Sequence, residues 1–260
     1  MMMHASLRAV LVAGGICTAI LILIEVGRRL GLRRTKRDAE GARAGLGAIE
    51  GAIFGLMGLL IAFTFSGAAS RFDARRDLVV REANHIGTAW LRLDLLPAET
   101  QPALRELFRQ YLDKRIAVYE ALPDLSAARA ELDRANALQG EIWAKAVAAG
   151  RTDAGQRVQN LIVPALNDMF DITTIRTMAA RTHPPIMIYL LLTVLTLISA
   201  LLAGYGMAGA KSPSWVHIIG FAVLMGLTVY IILDLEFPRL GLIRVDAADQ
   251  MLVELRQSMN

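Results

Sequence analysis

The chain has 260 residues, of which 55% are hydrophobic and 20% are charged, and its mean hydropathy is +0.44. Soluble domains average about 45–50% apolar and about 25% charged residues, so this composition favours a membrane protein. It also excludes a disordered chain, which needs low hydrophobicity and high charge. The formal net charge is +4, and Cys17 is the single cysteine, which excludes a disulfide framework and a cysteine-based zinc site.

Four apolar stretches approach or reach the ~20 residues that cross a bilayer core. They cover 9–26, 52–69, 186–208 and 215–233. The first stretch has no clear small-x-small cleavage site, so we interpret it as an uncleaved anchor rather than a signal peptide. The region between the second and third stretches carries many charges of both signs. It predicts a soluble insert between two pairs of membrane spans.

Helix breakers divide this insert at regular intervals. Pro97, Pro123 and Gly150 predict four amphipathic helices over 70–96, 102–122, 126–149 and 153–181. No breaker separates the second span from the first insert helix, so 52–96 is predicted to be one continuous helix. Pro184 and Pro185 mark the return to the membrane.

The sequence therefore predicts an all-α integral membrane protein with four spans, a four-helix insert and a C-terminal amphipathic helix. The predicted domains are the first two spans with their basic loop (1–69), the insert (70–183), the last two spans (184–237) and the tail (238–260). The tail repeats apolar residues every three or four positions, which favours a helix packed on the insert or on a neighbouring subunit.

Small residues recur on one face of the second span at steps of three and four. This period is close to the 3.6 residues of a helical turn. Close helix packing is the interpretation that the pattern favours, because small residues let helices approach in lipid. A pore face or a subunit contact is the alternative. The residues are Gly47, Gly51, Gly55, Gly58, Ala62, Ser66 and Ala69.

Three segments carry a resemblance to a known family. They are GLMGLLIAFTFSGAASRFDARR at 55–76, EANHIGTAW at 82–90 and LDLEFPRLGLIRV at 233–245. Together they resemble bacterial membrane proteins that have a bestrophin-like domain. A more distant similarity, centred on Ser70-Arg71-Phe72, connects the chain to bestrophins, which are pentameric anion channels.

The resemblance implies that the second span lines a pore. By position, Gly55, Leu59 and Phe63 correspond to the hydrophobic neck of bestrophins. The candidate pore-lining set is Gly51, Gly55, Leu59, Phe63 and Ser66.

Charged residues at the ends of the second and fourth spans are candidates for a pore mouth. These two spans run in the same direction, so Arg71 and Arg75 share a membrane face with Asp234 and Glu236. Charges at this depth tend to pair. We expect contacts between the two sets, with Asp234 as the favoured partner because it lies closest to the apolar run.

The leading functional prediction is an oligomeric ion channel that prefers anions. The alternative is a membrane-anchored sensor or scaffold whose insert binds a ligand or a partner protein. No enzyme motif occurs, whether a Walker loop, a G-x-S-x-G elbow or an H-E-x-x-H pair. We expect no catalytic residues, no cofactor, no metal and no nucleic acid. The expected partners are the lipid bilayer, further copies of the chain and inorganic anions.

The predicted location is the bacterial inner membrane, with several passes. Seven basic residues follow the first span between Arg28 and Arg43, and the positive-inside rule places this loop in the cytoplasm. The insert would then face the periplasm. The resemblance implies the opposite, because the corresponding insert of bestrophins is cytosolic. The sequence slightly favours the periplasmic insert.

Overall fold

A computed structural model describes residues 2–35, 46–151, 158–209, 212–239 and 241–259, and within these ranges it contains helices and no strand. The all-α fold class is confirmed. The α-helices of the described ranges are α1 (Met2–Thr35), α2 (Leu46–Arg92), α3 (Gln101–Glu120), α4 (Leu125–Gly150), α5 (Gln159–Arg181), α6 (Ile186–Gly206), α7 (Trp215–Glu236) and α8 (Asp246–Ser258).

The chain forms two compact units. The insert unit comprises Phe72–Thr182 and Pro238–Asn260, and the membrane unit comprises Met3–Arg71 and His183–Phe237. The exact domain boundaries given above stay a prediction.

Four helical stretches are long and apolar enough to cross a membrane. They include the four predicted spans. Three of these lie within α1, α2 and α7, and the third in chain order covers α6 and continues into the 3-10 turn Met207–Gly209. Helix α2 is continuous over 47 residues, as the absence of a breaker indicates, and it ends in a short 3-10 turn at Leu93–Leu95. Leu96, which precedes Pro97, is extended with φ −79° and ψ 160°. This is the conformation that a following proline favours.

The predicted insert helices correspond to the end of α2 and to α3, α4 and α5. Helix α5 begins at Gln159 and contains Pro164. The beginning of the predicted fourth helix, residues 153–157, lies outside the described residues. The apolar stripes of these helices meet in one core, which includes Ile86, Phe108, Ile142 and Met169. Of the aromatic residues on the stripes, Trp90 and Tyr111 also belong to this core, whereas Trp143 is 37% exposed.

Helix α4 begins with a side-chain cap. The Asp124 carboxylate accepts hydrogen bonds from the backbone N–H groups of Ser126 (2.9 Å) and Ala127 (3.1 Å), and from the Ser126 hydroxyl (2.6 Å). These bonds satisfy N–H groups that have no partner within the helix. They lower the pKa of Asp124 below its usual 3.8, with the Ser126 hydroxyl contributing most.

We expect Asp124→Ala to lower the thermal midpoint by a few degrees at neutral pH. Since the pKa of Asp124 is lower in the folded protein, its contribution is full above the ordinary value of 3.8 and is lost as the pH falls through the folded value. Thermal unfolding measured from pH 7 downwards tests this. The midpoints of variant and wild type should converge in acid, and a constant gap across the pH range would contradict the cap.

The tail forms a helix that packs on the insert of its own chain. Leu252 and Met259 are fully buried in the insert core. Arg256 on α8 donates to Asp113 on α3 at 2.7 Å, and Arg109 donates to the backbone carbonyl of Met259 at 2.7 Å. The predicted amphipathic tail helix is therefore confirmed.

Glycines allow close helix contacts in the membrane unit. A β-carbon on Gly204 of α6 would lie 2.8 Å from the Cα atom of Ile24 on α1. A β-carbon on Gly27 of α1 would meet the backbone of Leu201 and Tyr205 on α6. Gly226 on α7 approaches the Sγ atom of Cys17 in the same way. The small residues that bring the membrane helices together are thus on α1, α6 and α7.

Candidate functional site

The glycine stripe of α2 has no packing partner within the described part of the chain. A β-carbon added at Gly47, Gly51, Gly55 or Gly58 would meet no atom within 4 Å. The close helix packing that the pattern favours is therefore not made at these four glycines by the described residues of the same chain.

Two large apolar side chains lie along the same region of α2. Leu59 is 52% exposed and Phe63 is 66% exposed in the single chain. Ser66, one turn further on, is also exposed. Other positions of α2 are covered instead, and Met57 belongs to the core of the membrane unit. Helix α2 thus packs by one side and leaves the candidate pore-lining side uncovered.

An ion pair joins Arg71, which follows the candidate pore-lining residues on α2, to Glu236 at the end of α7. The Arg71 guanidinium donates to Glu236, with Nε and Oε1 2.8 Å apart. The Glu236 side chain is fully buried, and its Oε2 atom lies 3.3 Å from Nδ1 of His183. The His183 ring lies beside Phe237, with ring centroids 4.6 Å apart. The structure therefore brings Arg71 and Glu236 together within the membrane unit.

The other two candidate mouth residues have different surroundings. Arg75 donates to the backbone carbonyls of Ala179 (3.2 Å), in the last turn of α5, and of Thr182 (2.9 Å), the residue after the helix. Asp234, which we expected to be the favoured partner of the two arginines, lies on α7 and is buried. The ion pair described above is with Glu236, two residues further along. A pore-mouth role for these four residues stays a prediction.

Sequence reasoning missed a buried charged group in the insert unit. We call it the arginine–tyrosine cluster, and it consists of Glu82, Arg115, Tyr119, Arg176, Arg239 and Asp249. The sequence did contain a signal of this buried charge, because Glu82 lies between Val79 and Ile86 on the apolar stripe of α2. A charge at a core position requires a buried partner.

The described residues contain no group of three or more His, Cys, Asp or Glu side chains that could hold a metal ion. Helix α2 supplies an uncovered apolar face, and the ion pair between Arg71 and Glu236 lies just beyond that face along the helix.

These features define an all-helical membrane protein with a helical insert, and the comparisons identify its family. The family model of the bestrophin-like domain matches residues 14–249. The chain belongs to the bestrophin-like domain family. No curated protein is detectably similar in sequence.

Solved structures with the same fold include two variants of a bacterial bestrophin homologue from Klebsiella pneumoniae. The variant with a tyrosine-to-alanine substitution is 16% identical, with a TM-score of 0.59 over 92% of this chain and 97% of that chain. The variant with a tryptophan-to-alanine substitution is 15% identical, with a TM-score of 0.62 over 94% of this chain and 96% of that chain. At this identity the similarity establishes the shared fold.

Proposed function

We propose that the protein forms a homo-oligomeric anion channel in which α2 lines the pore. Membership of the bestrophin-like family supports the class of anion channel. The observation that carries the proposal is the uncovered face of α2, where the glycines meet no atom and Leu59 and Phe63 are more than half exposed. Several copies around an axis would cover this face.

In such an assembly the positions along α2 form successive rings. Gly51 and Gly55 leave a wide section, and Leu59 and Phe63 form the narrow apolar section. A narrow apolar section gates ions by dewetting, since ions do not cross a stretch that water leaves. Ser66 supplies a polar position beyond it.

The candidate mouth residues would lie where α2 leaves the membrane. The charge of Arg71 is compensated by buried Glu236, so we assign this pair mainly a positioning role at the mouth. Arg75 and Asp234 belong to the same proposed region. Anion attraction at the mouth would then depend on the summed field of its charges rather than on Arg71 alone.

We expect Leu59→Ala and Phe63→Ala to increase anion flux in liposomes, because a smaller side chain widens the apolar section. Phe65→Ala is the matched control. Phe65 is 44% exposed on the same helix, and at 3.6 residues per turn it lies about 160° around α2 from Phe63. Its variant should conduct like the wild type.

Two results would contradict the pore proposal. One is the absence of anion flux from the wild type and from both pore variants. The other is a detergent-solubilised protein whose mass, measured by light scattering, is that of one chain. An equal increase of flux in all three variants would point to a general loss of packing rather than to a pore.

We place the protein in the bacterial inner membrane with the insert in the periplasm, following the basic loop after the first span. Fusions at the C-terminus test the orientation, because the tail helix belongs to the insert unit. An alkaline phosphatase fusion should be active and a green fluorescent protein fusion dark. The reverse result would place the insert in the cytoplasm.

A further inference from the structure

The arginine–tyrosine cluster contains a carboxylate held by two guanidinium groups. Glu82 on α2 accepts a hydrogen bond from Arg115 on α3, with Nε and Oε1 2.6 Å apart, and a second from Arg176 on α5. All three side chains are almost completely buried, with 0%, 1% and 6% of their surface exposed. The charges are therefore shielded from solvent.

A second carboxylate, that of Asp249, connects Arg176 to the C-terminal segment. Asp249 on α8 accepts a hydrogen bond from Arg176 at 2.7 Å. It also accepts two from Arg239, at 2.6 and 3.0 Å. The cluster thus joins α2, α3, α5 and the tail of the insert unit.

Three guanidinium groups surround the ring of Tyr119. The Cζ atoms of Arg176, Arg239 and Arg115 lie 3.8, 4.4 and 5.4 Å from the ring centroid. The Tyr119 hydroxyl accepts a hydrogen bond from Arg115 at 2.7 Å. Burial raises the pKa of the Tyr119 phenol, so the ring adds no negative charge to balance the arginines.

The charges of the cluster do not balance. Its three guanidinium groups face two carboxylates, which leaves one positive charge in excess. In addition, the buried Nη1 atom of Arg115 has no hydrogen-bond partner among the described residues. A buried charged donor without an acceptor is unfavourable. The side chains of Arg239 and Asp249 are each 19% exposed, so the excess charge lies at the edge of the buried group.

We propose that the arginine–tyrosine cluster binds one small monovalent anion of the halide type at the free N–H group of Arg115. One excess charge and one unsatisfied donor match a single negative charge that needs few hydrogen bonds. A phosphate would bring more charge and more acceptors than the cluster offers. The site lies in the insert unit and does not depend on whether the protein conducts.

Thermal unfolding of the full-length protein in detergent tests the proposal. Bromide replaces gluconate at constant ionic strength. Tryptophan fluorescence in a Trp143→Phe, Trp215→Phe background follows the unfolding of the insert, in which Trp90 is buried. A ligand that binds the folded state raises the midpoint, so we expect a saturable rise with bromide.

Two variants change the excess charge in opposite directions. Arg239→Gln brings the cluster to neutrality and should raise the bromide concentration at half-effect at least about tenfold, since a nearby charge acts strongly in a buried site. Asp249→Asn adds to the excess and should lower that concentration. Arg256→Gln is the control, because it also removes an ion pair of α8 but lies outside the cluster.

The proposal is overturned if the wild type does not respond to bromide, or if Arg239→Gln responds at the same concentration as the wild type. Bromide anomalous scattering from crystals gives an independent readout. A peak beside Arg115 supports the site, and a water molecule in that position overturns it.

Discussion

Gly204→Ala is expected to destabilise the membrane unit more than any other alanine substitution at a glycine of α6 or α7. The added methyl group would lie 2.8 Å from Cα of Ile24 and closer still to the carbonyl of that residue. Backbone atoms do not yield as a flexible side chain does, so α1 and α6 must separate. Overpacking of this kind costs about 1–3 kcal/mol, and more when backbone has to move.

Gly220→Ala on α7 is the matched control, because a β-carbon there would meet no atom within 4 Å. In a helix this change is expected to be neutral or to stabilise by about 0.5–1 kcal/mol. Thermal unfolding in detergent and the yield of folded protein measure both effects. Equal midpoints for the two variants would contradict the close contact between α1 and α6.

Glu82→Gln is expected to destabilise the insert unit strongly. The carboxylate is fully buried and accepts hydrogen bonds from Arg115 and Arg176. An amide of the same shape removes the negative charge and leaves two buried guanidinium groups without their counter-ion. Breaking a buried ion pair by removing one partner costs about 3–5 kcal/mol. Fluorescence of Trp90 during thermal unfolding, in a Trp143→Phe, Trp215→Phe background, measures the loss.

The ion pair between Asp113 and Arg256 supplies the control. It also links helices of the insert unit, but Asp113 is half exposed. We expect Asp113→Asn to cost less than about 1 kcal/mol, since solvent screens an exposed pair. If both substitutions had the same small effect, the Glu82 pair would not be a main stabilising contact of the insert.

The sequence was sufficient for the helices and for the division into spans and insert. Apolar runs of sufficient length specify membrane helices, because a bilayer leaves few other ways to satisfy the backbone. Pro97 and Pro123 act locally, so the ends of α2 and α3 follow from their neighbours along the chain. The tail helix was predictable for the same reason, since its apolar period lies within one short segment.

The role of each glycine was decided by the tertiary structure alone. The spacing of Gly51, Gly55 and Gly58 on α2 indicates a face of small residues, but it does not say what covers that face. In the structure a β-carbon added at any of these glycines would have no atom within 4 Å, while Gly27 and Gly204 make the close helix contacts. Whether a glycine is packed or open depends on where the other helices lie. The residue pattern of a single helix carries no information about their positions.

The pairing of the buried charges was likewise not predictable from the sequence. Arg115, Arg176 and Asp249 occur in amphipathic helices, where a charged residue usually faces solvent. Glu82 meets Arg115 and Arg176 because α2, α3 and α5 pack together, over separations of 33 and 94 residues. The sequence by itself determined which segments become helices and which can enter the membrane, since those properties are local. Only the tertiary structure decided which charges are buried together and which face of α2 stays open, since both depend on contacts between distant segments.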